Sequence, residues 1–64
     1  MRLQVNDSGA WRNVIDFSAA DTGPVLNAAA VLAEAGGVKN MRVLDHDIVV
    51  GYCEKPAYQW EHAG

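Results

Sequence analysis

DTGPVLNAAAVLAEAGG, residues 21–37, is the stretch whose reading decides the fold. Val25, Leu26, Ala29, Leu32 and Ala33 recur at helical spacing and predict an amphipathic helix with this stripe against a core. Asn27, Ala30, Val31 and Glu34 form its other side. The alanines favour helix and let the backbone approach a sheet closely. Asp21 is the expected N-cap, because its carboxylate can accept the free amide hydrogens of the first turn. Pro24 falls in that turn, where a missing N–H costs nothing. Gly36-Gly37 ends the helix, one glycine suiting the left-handed position that closes it. The expected span is 22–36.

Strands flank the helix on both sides. Met1, Leu3 and Val5 alternate with Arg2, Gln4 and Asn6, the period of a half-buried strand over about 1–6. Asp7-Ser8-Gly9 is a turn, with Gly9 suited to positive φ. A second strand is expected over about 10–18, with Trp11, Ile15 and Phe17 on the apolar face and Arg12, Val14 and Asp16 on the other. Asn13 breaks that pattern. Either it lies at the sheet margin, or a bulge beside it resets the alternation and turns Val14 inward. After the helix, 38–44 and 48–54 read as third and fourth strands. A two-residue turn at His46-Asp47 would set Val43 against Val50 and Met41 against Tyr52, all on the core side; a three-residue turn would shift the pairing, and a one-residue slip inverts a strand's faces. Leu44, Val49, Gly51 and Cys53 would then take the opposite face. Pro56 stops the fourth strand, and the tail over 57–64, with Tyr58 and Trp60, has no clear period.

The expectation is one α+β domain of order ββαββ: a four-stranded, mostly antiparallel sheet with one helix packed on one face. Three strand orders are open. The order 2-1-4-3 makes the terminal strands central and parallel, whereas 1-2-4-3 and 2-1-3-4 are antiparallel throughout.

Composition narrows the functions. Sixty-four residues give a small core and a thin stability margin. A lone Cys53 forms no internal disulfide, and the Cys/His spacing of a structural zinc site is missing. Self-association is then the first expected support. Five Lys/Arg against eight Asp/Glu, net −3, disfavour nonspecific nucleic-acid binding. No apolar run reaches the roughly 20 residues of a membrane span. The first residues lack the apolar stretch of a signal peptide, so the cytoplasm is the expected compartment.

One helix leaves the second sheet face open. Its expected occupants include Arg2, Arg12, Val14, Arg42, Leu44, Val49 and Cys53, with Trp60 of the tail nearby. Apolar residues beside arginines suggest an interaction face, for a homodimer or another protein, formed by stacked open faces or paired edge strands. The plainer reading is that the tail folds over these residues or that they are scattered exposed apolars. Arg2, Arg12 and Arg42 with Trp60 also suggest a single-strand nucleic-acid platform, the less favoured reading given the charge. Cys53 with His46 or His62 forms no recognisable nucleophile motif, and a strand cysteine is more commonly a packing residue. Asp45-His46-Asp47 reads as a solvated turn before it reads as a metal site. Neither enzyme activity nor a cofactor is expected.

The hairpin Ser8-Gly9-Ala10-Trp11-Arg12 followed by an alanine-rich helix resembles small uncharacterised proteins of proteobacteria and their prophages. The resemblance rests on the short motif Gly-x-Trp-Arg and implies no activity or catalytic residue.

Overall fold

The computed structural model describes residues 1–36 and 39–63. Its strands are β1 (Arg2–Asp7), β2 (Ala10–Asp16), β3 (Met41–Asp45), β4 (Ile48–Glu54) and β5 (Gln59–His62), with the helix α1 (Thr22–Gly36) between β2 and β3. They form a single sheet in the order β2-β1-β3-β4-β5, every neighbour antiparallel. This is the 2-1-3-4 order with a strand added. The expected four strands are therefore five: the tail adds to β4, setting Trp60 opposite Cys53 and Glu61 opposite Tyr52.

The β1–β2 and β3–β4 hairpins have tight turns. Ser8 and Gly9 have φ of 56° and 86°, as a two-residue turn matched to strand twist requires, and the Asn6 side chain accepts from Gly9 N–H at 3.1 Å. The second turn is His46-Asp47, the two-residue alternative, with Asp45 opposite Ile48.

Two bulges reset the faces. Leu3 pairs with Ile15 but Gln4 pairs with Asn13, so Val14 is an extra residue in β2. The bulge alternative at Asn13 is the one realised. Val14 does not turn into the core; it is 54% exposed. Residues before the bulge change face, so Trp11 lies on the face away from α1, beside Asn6 and Gln4. In β4 the register slips between Leu44–Val49 and Val43–Gly51, leaving Val50 as the extra residue. The expected Met41–Tyr52 and Val43–Val50 pairs are replaced by Met41–Cys53 and Val43–Gly51. Cys53 thus faces α1 and Tyr52 the open side, the reverse of the sequence expectation. A one-residue slip inverts a strand's faces beyond it, and both inversions follow from that.

The core lies between α1 and the sheet. Leu3, Ala29, Met41, Cys53 and Tyr58 form its buried centre, with Val5, Phe17, Val25, Ala30, Ala33 and Trp60 packed round it. Gly51 lies close under β5: a Cβ there would lie 3.3 Å from Glu61 O and from Val43 Cγ1, a tight contact. Ser18 caps the 3-10 turn Ala19–Asp21 that leads into α1, accepting from Ala20 N–H; Asp21, the expected cap, directly precedes α1, and among the described residues no hydrogen bond reaches its carboxylate. α1 runs through Gly36; the expected terminator Gly37 lies outside the described residues, as do Val38 and Gly64.

The helix departs from its predicted stripe at two residues: Ala30, expected on the other side, packs against the core, and Leu32, expected in the stripe, does not. Val25, Ala29 and Ala33 face the sheet with Ala30, but Leu32 is 73% exposed. Trp60 accounts for this. Its indole N–H donates to Leu26 O at 2.8 Å, drawing α1 toward β5. Leu32 lies about 120° round the helix from Leu26, on the flank away from β5. There β2 carries Ile15, facing α1 but half exposed, so the helix does not cover that margin.

Candidate interaction surfaces

The face away from α1 is a polar network on a small apolar base. Arg2 bonds Asp16 through two N–H···O contacts of 2.7 and 3.3 Å. This pair holds the Asp16 carboxyl below its usual range and the Arg2 guanidinium above its own. Gln4 Nε2 donates to Asn13 Oδ1 at 2.8 Å, and Arg42 Nε donates to Gln4 Oε1 at 2.8 Å. The guanidinium of Arg42 crosses β1 and stacks on Trp11, with Cζ 4.3 Å from the ring centroid. Leu44 is buried in this face and Val49 and Tyr52 are half-buried. Trp11, Arg42, Tyr52, Leu44 and Val49 thus form one patch, and its Trp, Tyr and Arg are the residue types that most often anchor protein contacts.

Not every residue expected on this face is there. Arg2, Arg42, Leu44 and Val49 are, and Val14 stands at the bulge beside it. Arg12, Cys53 and Trp60 belong to the α1 side, by their pairing with Val5, Met41 and one another. Arg12 lies 3.7 Å from Asp7. Lys39 bonds Asp7 at 2.9 Å and, with Arg12, pulls its carboxyl below the usual range. Cys53 is completely buried, and burial pushes its thiol up, away from the thiolate a nucleophile needs. His46 stands exposed in its turn 3.8 Å from Asp45. Among the described residues no three His, Cys, Asp or Glu side chains converge as a metal site.

The second surface is one the sequence reading did not single out. α1 carries a single charged residue, Glu34, over its whole length. Val31 is 67% exposed and Leu32 73%. Pro24, Ala28, Val31 and Ala35 recur at spacings of four, three and four residues, which places them on one line along the outer face, with Leu32 beside it. Asn27 and Glu34 flank this line and are its polar border. The signal was present in the sequence: a helix apolar nearly all round is normally buried on more than one side.

Two clefts adjoin these surfaces. An apolar one of about 230 Å³ lies between α1 and β3–β5, against Leu26, Val43, Val50 and Trp60, smaller than ordinary small-molecule sites of ~300 Å³ or more. The other, about 590 Å³, is open and polar beside Arg2, Asp16, His46 and Asp47, where Asp16 already occupies the arginine. Among the described residues no helix is long and apolar enough to cross a membrane.

Compared with protein-family models, with curated proteins and with solved structures, the chain gives no significant match in any of the three.

Proposed function

We propose that the protein is a small protein-interaction module that self-associates through the outer face of α1. The observation that carries this reading is the exposure of Val31 and Leu32 on a helix whose one charge is Glu34. A solvated helix face is ordinarily polar, and an apolar one exposed on a small protein marks a contact.

A second copy is the occupant because the line is self-complementary. With two α1 helices antiparallel about a twofold axis, Pro24 meets Ala35 of the partner subunit and Val31 meets the partner's Ala28. Each larger residue faces a small one, and no charge of the line opposes itself. Alanines allow the 8–10 Å axial separation of packed helices. The sheet edges favour pairing less. β2 is bent by its bulge and carries Arg12 and Asp16, and β5 is four residues long; both are devices that blunt an edge.

The interface is small. A 15-residue helix is about 22 Å long, so the seam covers a few hundred Å² per protomer, below the ~800 Å² of a standard interface. The dimer is therefore weak, in the micromolar range. Light scattering on size-exclusion peaks at rising loading concentration tests it: the mass should climb from monomer toward dimer, and a protein still monomeric at high micromolar concentration would exclude the reading.

Single-strand nucleic-acid binding has less support. It relied on Arg2, Arg12 and Arg42 together, but Arg2 is engaged by Asp16 and Arg12 lies on the opposite face.

A further inference from the structure

We propose that Arg42, held on Trp11, is a docking point on the open sheet face for a carboxylate side chain of a protein partner. The inference is independent of self-association, because Arg42 and α1 lie on opposite faces of the sheet.

The arginines differ in how their charge is met. Arg2 and Arg12 each have an aspartate within ion-pair distance; among the described residues Arg42 has none. It is nonetheless half-buried and fixed at two points, by its Nε–H bond to Gln4 and by its stack on Trp11. Gln4 is itself held by Asn13. Neither terminal amino group of Arg42 has an acceptor among the described residues, and neither is a buried atom without a partner, so both reach solvent. A guanidinium with its inner edge satisfied and its outer fork free matches a carboxylate in two parallel N–H···O bonds. Because the side chain is already ordered, little rotamer entropy is lost on binding.

The surroundings favour a protein carboxylate over a polyanion. Val49 and Tyr52 offer half-buried surface beside the arginine for the neighbours of a docked acidic residue. Glu61 pairs with Tyr52 on the same face, and the chain is net −3. A strand of phosphates would meet that repulsion with one free guanidinium to offset it, whereas a single carboxylate needs only one.

The test is a titration of the ¹⁵N-labelled protein with a blocked hexapeptide of threonines carrying one central glutamate, and with its glutamine counterpart. The Arg42 Nε–H and Trp11 indole N–H resonances should shift saturably with the glutamate peptide and at least about tenfold more weakly with the glutamine one. Arg42→Gln should remove the response while its spectrum stays dispersed; Arg42→Lys, which keeps the charge but not the fork, should bind at least about threefold more weakly. Equal binding of the two peptides, wild-type binding by Arg42→Gln, no shift at millimolar peptide, or displacement of the peptide by a thymidine oligonucleotide would each overturn the proposal.

Discussion

Val31→Glu separates folding from self-association. In the monomer Val31 is 67% exposed, so little burial is lost. Glutamate is the better helix former by a few tenths of a kcal/mol, and Glu34 three residues on opposes it by roughly 0.2–0.5 kcal/mol. These terms nearly cancel, and the folded monomer should keep its stability within about 0.5 kcal/mol. In the dimer the balance differs. Fully burying a valine contributes about 1.5 kcal/mol, and about two-thirds of that remains to be gained on association. Two protomers together lose about 2 kcal/mol, or about 30-fold in dissociation constant, before any cost of bringing carboxylates to the seam. Sedimentation equilibrium gives the constant, and thermal unfolding monitored by circular dichroism on dilute samples gives the monomer control. If the variant folds normally and dimerises within about threefold of wild type, the seam is not on α1. The same follows if Val49→Gln on the open face weakens the dimer instead.

Other outcomes follow from individual residues. Tyr58 Oη is buried without a hydrogen-bond partner, so Tyr58→Phe should stabilise the fold by about 1 kcal/mol, read as a rise in denaturant midpoint; a clear fall would mean that the hydroxyl is bonded. Gly51→Ala places a Cβ against Glu61 O and Val43, and should cost about 1–3 kcal/mol; no loss would mean that β5 gives way freely. Cys53 should stay unreactive toward a thiol reagent at mildly alkaline pH in the native state and react fully in guanidinium. Asp16, lowered by Arg2, contributes stability above its unfolded pKa of about 3.9 that is lost as pH falls through the folded value. Both groups are exposed, so the contribution is small; carboxyl NMR titration should find Asp16 below about 3.9 and returned toward it in Arg2→Ala. An unmoved value would remove the ion pair from the account.

How far the sequence carries depends on where polarity marks the fold. The helix, the Ser8-Gly9 and His46-Asp47 turns and the antiparallel hairpins could be read because glycine, proline and charged residues punctuate them. The bulges could not be located so firmly. Val14 sits in Asn13-Val14-Ile15 and Val50 in Val49-Val50-Gly51, runs with too little contrast between neighbours to show where alternation resets. Each inverted the residues beyond it, which is why Trp11 and Tyr52 belong to the open face and Cys53 to the core. β5 has four residues, and its pattern acquires meaning only when β4 supplies Cys53 and Tyr52 as partners. Leu32 read as core by spacing, because no helical period encodes the Trp60–Leu26 bond that shifts α1 toward β5. Arg42 could be named as a surface cation, but its stack on Trp11 depends on the β2 bulge.

The mass of the unmodified protein as a function of concentration bears most directly on the account. Sedimentation equilibrium from about 10 µM to about 1 mM should show a reversible monomer–dimer equilibrium with a dissociation constant in the micromolar range. A single species at monomer mass across that whole interval would contradict it.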